Sequence, residues 1–136
     1  MMDAKTFYQK VKLEAGLKDE LAARRAAKAV LQTLHWRIAE GEADNIASSL
    51  PPQLQKIWRG DWGMRLSKTV LKRVDKLDKK QFISRVKNAS RSFNVQEAEK
   101  LATAVIHVLK EAIPAGETKD MLSQLPSDLR KFVKAA

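Results

Sequence analysis

The sequence contains no cysteine, only five glycines and a single tyrosine among its 136 residues. Without cysteine the chain can hold no disulfide framework, no thiolate metal site and no cysteine nucleophile. The scarcity of glycine and tyrosine argues against a turn-rich β fold. No apolar run approaches the roughly 18 residues that a membrane-spanning helix needs, and the first residues form no apolar signal segment. We therefore expect a cytoplasmic protein without a transmembrane segment.

The chain has few acidic residues relative to its basic ones. It carries 26 lysines and arginines against 16 aspartates and glutamates, a formal net charge of +10. Hydrophobic residues make up 44% of the sequence, which is typical of a globular protein and too high for a disordered chain of this charge. A chain of this length suits one domain, and folding buries roughly two-thirds of its unfolded surface.

The sequence matches itself when it is shifted by 75 residues. Residues 3–56 align with residues 78–131 without a gap, and 18 of these 54 positions are identical. The identical pairs include Phe7/Phe82, Val11/Val86, Ala23/Ala98, Ala27/Ala102, Val30/Val105, Leu34/Leu109, Ile38/Ile113, Gly41/Gly116 and Leu54/Leu129. A period this long, present twice, indicates a duplicated unit rather than a solenoid. We predict helical repeat 1 over residues 1–60, a linker with a short amphipathic helix over 61–77, and helical repeat 2 over 78–136, within one structural domain.

Helical signals recur in both copies. Asp78 is expected to cap a helix start, and Gln81 completes a capping box. In the longest helix of each copy, apolar residues recur at i, i+4, i+7, i+8, i+11 and i+15, which is helical spacing. Gly41 and Gly116 are expected where that helix ends. The predicted fold class is all-α: two pseudo-symmetric repeats of about four helices each, joined by a basic linker helix in one compact domain.

The order of the motifs is distinctive. Phe-x3-Val, Ala-x3-Ala-x2-Val, Gly-Glu and Leu-Pro-x2-Leu follow one another at the same spacing in both copies. This pattern resembles a bacterial family of short, duplicated, all-helical proteins that is catalogued as a domain of unknown function. The resemblance extends over residues 3–133 and implies an all-helical fold and a bacterial origin. It implies no catalytic or binding residue.

The positive charge is concentrated in one segment. Residues 65–91 carry ten cations and two aspartates, a net charge of +8 that leaves +2 for the rest of the chain. These ten cations are the candidates for polyanion binding: Arg65, Lys68, Lys72, Arg73, Lys76, Lys79, Lys80, Arg85, Lys87 and Arg91. Such a segment attracts nucleic acid, an anionic membrane surface or an acidic protein, more weakly as salt rises. The alternative is a solvated connecting helix. We find no base-reading pattern or aromatic stacking platform beside it and expect no sequence-specific DNA recognition.

Trp36 lies beside the apolar stripe of the long helix rather than on it, and it aligns with Glu111 in the second copy. A tryptophan where the other copy has a glutamate suggests a contact made only by copy one. We predict Trp36 and Trp62 as interface residues, although Trp36 packing against the linker that carries Trp62 is an equal alternative.

The two histidines, His35 and His107, do not align with each other and form no HExxH pattern. We therefore predict no catalytic residue, no metal site and no cofactor. The sequence favours a non-enzymatic binding or scaffold module with an unidentified partner, either another protein or a second copy. The alternative is non-specific binding of nucleic acid or another polyanion through residues 65–91.

Overall fold

The structure, a computed structural model, describes residues 1–60 and 77–136. Within these two ranges it contains eight helices and no strand, so the all-α prediction is confirmed. The helices are α1 (Ala4–Ala15), α2 (Glu20–Arg37), α3 (Glu40–Ser48), α4 (Pro52–Arg59), α5 (Lys79–Ser90), α6 (Val95–Ala112), α7 (Ala115–Ser123) and α8 (Ser127–Ala135). Each helix from α5 to α8 begins 75 residues after its counterpart in the first half. The predicted linker helix lies outside the described residues.

The helix starts follow the capping signals of the sequence. The Asp78 carboxylate accepts a hydrogen bond from the Gln81 backbone N–H, and the side-chain oxygen of Gln81 accepts one from the Asp78 backbone N–H. Asn94 caps α6 in the same way, but Glu97 reaches back to the N–H of Phe93, one residue before the cap. The helix ends differ more from expectation. Gly41 and Gly116 lie in the first turns of α3 and α7, because each long helix ends through an extended isoleucine instead.

Four helices form the centre of the molecule. α1 packs on α2 and α6, α5 packs on α6 and α2, and the two long helices touch each other. Alanines at buried positions such as Ala23, Ala27, Ala98 and Ala102 let neighbouring helices approach closely. One hydrophobic cluster includes residues from both halves of the chain. Two of the surface clefts lie at corresponding places in the repeat, one between α2 and α5 and one between α1 and α6.

The short helices pack at the periphery of this centre. α3 contacts α7, α4 packs on α2 and α3, and α8 packs on α5, α6 and α7. None of the helices in the described ranges is both long enough and apolar enough to cross a membrane.

Candidate functional site

A basic cleft of about 650 Å³ lies between α2 and the C-terminal part of α5. Its α2 wall carries Arg25, Lys28, Gln32 and Trp36, whose spacing of three, four and four residues places them on one helix face. The remaining lining residues are Ala29, Thr33, Arg85, Ala89, Ser90 and Arg91. Residues from both halves of the chain therefore build this one site, which we call the basic cleft.

The charge of the basic cleft has a single sign. Arg25, Lys28, Arg85 and Arg91 are its four cations, and its lining within the described residues contains no carboxylate. All four are exposed, and none forms an ion pair with a carboxylate in residues 1–60 or 77–136. A concave surface lined by charges of one sign focuses its field and concentrates counter-ions.

Trp36 lies inside this charged environment. Its side chain is half-buried, and the Cζ atom of Arg85 lies 5.7 Å from the centre of its ring system. That distance is within the ~6 Å range of a cation–π contact. The structure thus brings together two features that the sequence analysis treated separately, namely the unusual tryptophan and the basic segment.

Arg91 stands in an unusual backbone conformation at the end of α5. Its φ is 57°, in the left-handed region, and it is the only non-glycine residue with positive φ in the described ranges. The matched residue at the end of α1 is Gly16, with φ 64°. A side chain in this conformation costs roughly 1–2 kcal/mol relative to the right-handed region, a cost that glycine avoids. Both copies end this helix in the left-handed conformation, and in the second copy the residue at that position is a cation that lines the basic cleft.

The uncharged polar groups of the basic cleft are already engaged within the fold. Gln32 Nε2 donates to the carbonyl oxygen of Ile57 at 3.2 Å. The hydroxyls of Thr33 and Ser90 each donate to the backbone carbonyl four residues earlier. The cations and the indole are therefore the groups that remain for a ligand.

Within the described residues, the other predicted polyanion-binding residues do not line the basic cleft. Lys79 pairs with Glu99 at 2.8 Å and lies over the ring of Phe132, while Lys80 and Lys87 are not among the lining residues. Five of the predicted cations and one of the predicted interface residues lie outside the described residues: Arg65, Lys68, Lys72, Arg73, Lys76 and Trp62. Arg25 and Lys28 were not among the predicted residues, because they lie outside residues 65–91, where the positive charge of the sequence is densest.

The second cleft, between α1 and α6, measures about 500 Å³. It is lined by Glu14, Gln96, Glu99, Lys100, Thr103, Ala104 and His107, five of which align with lining residues of the basic cleft. Where Arg85 lies over Trp36, the aligned Lys10 instead pairs with the aligned Glu111 through Nζ and Oε2 at 2.6 Å. The hydrogen bond from Lys10 is the main cause that lowers the pKa of Glu111. His107 Nε2 lies 2.9 Å from Glu111 Oε1 and 3.4 Å from Glu14 Oε1. We call this the paired cleft.

The paired cleft also contains a group with metal-ligating side chains. One donor atom each of Glu14, His107 and Glu111 lies within 4.8 Å of the others, a spacing at which they could share a divalent cation. Glu111 follows His107 by four residues, so the sequence contained a signal for this contact that the analysis missed. In the structure Lys10 already supplies positive charge to Glu111, and the group forms an ion-pair network. The absence of a metal site stays a prediction.

The two clefts differ in charge at matched positions. The basic cleft carries four cations, whereas the matched positions of the paired cleft carry two cations and two carboxylates. The matched pairs are Arg25/Lys100, Lys28/Thr103, Arg85/Lys10, Arg91/Gly16, Ala89/Glu14 and Trp36/Glu111. The charges at these six positions are therefore +4 and zero, with histidine neutral. The lining of the paired cleft itself, with Glu14, Glu99 and Lys100, has a charge of −1.

His35 lies outside both clefts in the protein interior. It is 3% exposed, and its ring stacks on Trp58 with centroids 4.9 Å apart. Its Nδ1–H donates to the carbonyl oxygen of Trp58. These contacts give His35 a packing role between α2 and α4.

A family profile matches residues 4–132, which is nearly the whole chain, and its description reads "Uncharacterized conserved protein (DUF2267)". The chain belongs to this family. The resemblance found in the sequence is thereby confirmed. No curated protein matches the sequence. The DUF2267 description assigns no ligand or reaction, so functional inference for this chain depends on its clefts.

Proposed function

We propose that this protein is a non-enzymatic binding module whose basic cleft binds a phosphate-rich polyanion. The contrast in charge between the two clefts carries the proposal: the lining of the basic cleft has a charge of +4, and the lining of the paired cleft has a charge of −1. Both clefts belong to the same helical framework, so the packing of the framework does not by itself require the excess positive charge. Each cation that neutralises a phosphate releases condensed counter-ions and so favours binding at low salt.

The dimensions of the basic cleft suit a chain of phosphates. From Arg25 to Trp36 the α2 wall is about 16 Å long at 1.5 Å per residue. Phosphates along one stacked nucleic-acid strand recur at about 3.4 Å, so several of them fit beside this wall. The four cations lie on both walls and can therefore contact a strand from two sides.

A second copy of the chain is a less suitable partner for this surface. In a two-fold symmetric dimer the same patch contacts itself, so a dimer formed through Trp36 would place four cations against four others. Like charges across an interface cost several kcal/mol. An anionic partner is therefore more compatible with a contact at Trp36 than a second copy of the chain is.

The test is fluorescence anisotropy with a labelled oligothymidine strand and inorganic polyphosphate as competitor. Four phosphate contacts on a single strand predict a slope of about −2.8 for log affinity against log salt, hence a loss of about 50-fold between 50 and 200 mM. Replacing all four cleft cations with glutamine should abolish this binding. The matched pair of variants removes two charges from each cleft. Arg25→Gln with Arg85→Gln should weaken binding, whereas the control at the aligned positions, Lys100→Gln with Lys10→Gln, should leave affinity near the wild-type value.

Two results would contradict the proposal. One is the absence of binding by the wild-type protein at about 50 mM salt, where electrostatic affinity is high. The other is an equal loss of affinity in the cleft variant and its control, because net charge alone would then account for binding.

A further inference from the structure

We infer that the polyanion is single-stranded nucleic acid and that Trp36 stacks on one of its bases. This inference rests on the proposed function and specifies its ligand. Phosphate binding needs only the four cations, and it leaves the indole unexplained. Proteins that bind single strands without sequence preference combine a basic groove with aromatic side chains on which bases stack.

The packing within residues 1–60 and 77–136 does not explain a tryptophan at position 36. At the matched position Glu111 completes the same helix packing with an ion pair to Lys10. Trp36 is only half-buried, and it lies in the wall of the basic cleft rather than in the hydrophobic cluster of the core. A large apolar ring placed among four cations is suited to a ligand with both negative charge and flat apolar faces.

The surroundings of Trp36 favour stacking. The guanidinium of Arg85 lies over its ring, with the Cζ atom 5.7 Å from the ring centre, which restricts the orientation of the indole before a ligand binds. A group that is already ordered loses less entropy on binding. Arginine can itself stack on a base or contact a phosphate. Arg85 can therefore contribute both to base stacking and to phosphate binding.

Small side chains lie between the charged groups of the basic cleft. Ala29, Ala89 and Ser90 line it, and at the matched position of Ala89 the paired cleft has Glu14. These short residues leave room beside the indole for a flat base. In a duplex the base faces are already stacked on one another, whereas single strands can present unstacked bases to aromatic side chains.

The experiment compares three labelled probes on the full-length protein. They are an oligothymidine strand, an abasic strand with the same number of phosphates, and a duplex. The oligothymidine should bind about 5- to 150-fold more tightly than the abasic strand, which is the effect of stacking one base on an aromatic side chain. Both strands should show the same salt slope, since they contain the same phosphates.

Variants at position 36 provide a second measurement. Trp36→Leu should bind oligothymidine as weakly as the abasic strand, while Trp36→Phe should retain part of the difference because it keeps a ring. Both variants should reduce the affinity for oligothymidine by a larger factor than the affinity for the abasic strand. Circular dichroism verifies folding, and the comparison of the two strands on wild-type protein requires no variant.

Each contrary result has a distinct meaning. Equal affinity for the oligothymidine and abasic strands, or tighter binding of the duplex, overturns the inference and leaves the polyanion proposal standing. If no probe binds at about 50 mM salt, the proposed function fails and the inference fails with it.

Discussion

The basic cleft and the paired cleft are two versions of one surface within a single chain. In one, Arg85 lies over Trp36; in the other, the aligned Lys10 pairs with Glu111. The same helix packing accommodates both pairs, so the residues lining each cleft can differ without altering the framework. The difference teaches that the excess charge and the tryptophan of the basic cleft are local features that require an explanation of their own.

The largest expected effect comes from reversing charge within the basic cleft. Arg85→Glu combined with Arg91→Glu brings its charge from +4 to zero, which equals the charge at the aligned positions of the other copy. We expect at least a 50-fold loss of oligothymidine affinity at about 50 mM salt and a nearly flat salt dependence. The control, Lys80→Glu with Lys87→Glu, changes the net charge equally on the same helix but outside the cleft. Equal losses in both variants would show that the comparison of clefts is irrelevant to binding.

The next largest effect should come from making the paired cleft resemble the basic one. Glu14→Ala with Glu111→Gln removes the carboxylates at the matched positions, where Lys10 and Lys100 remain. Glu99, which also lines the paired cleft, stays paired with Lys79. The salt slope should become steeper by about 1.4, because two cations become able to contact phosphates. Isothermal titration calorimetry should detect a second, weaker site per chain. An unchanged stoichiometry and slope would show that charge alone does not make this surface a binding site.

A smaller effect is expected where the two copies differ in backbone strain. Arg91→Gly should raise the free energy of unfolding by about 1 kcal/mol, since glycine tolerates the left-handed conformation. It should also make the salt slope less steep by about 0.7. The matched change, Gly16→Arg, should destabilise the protein. Urea unfolding measures both, and a less stable Arg91→Gly variant would contradict the assignment of strain to Arg91.

The smallest effect concerns the ion pair of the paired cleft. Lys10→Met should lower stability at neutral pH by at most about 1 kcal/mol, because the pair is solvent-exposed. The pKa of Glu111 is lowered in the folded protein, mainly by Lys10. Its stabilising contribution is therefore present above the pKa of the unfolded chain and is lost as pH falls through the folded pKa. The difference between wild type and variant should disappear in acid, and a difference that grows in acid would contradict this account.

The sequence predicted those parts of the structure that depend on local signals. Asp78 and Gln81 form the expected capping box because its two residues are three positions apart on one helix start. Gly41 was misplaced because the end of α2 is set by Ile38, whose extended conformation needs no glycine. Glycine at this position indicated a helix end, but it belongs to the first turn of the next helix.

The candidate site was predicted only in part. Trp36 and Arg85 were both singled out, but their contact depends on how α2 packs on α5, which periodicity within each helix does not reveal. Arg25 and Lys28 lie outside the segment of highest charge density and become part of the site only through that packing. The cleft is therefore a product of tertiary structure, although each of its residues is visible in the sequence.

The most direct measurement is a nuclear magnetic resonance titration of ¹⁵N-labelled protein with unlabelled oligothymidine, because one spectrum reports on both clefts. The central claim predicts progressive shifts of the α2 and α5 amides around Lys28, Gln32 and Ala89, and of the Trp36 indole N–H. The amides around Glu14, His107 and Glu111 in the paired cleft should remain unshifted. Shifts of equal size in both clefts, or confined to the paired cleft, would contradict the account.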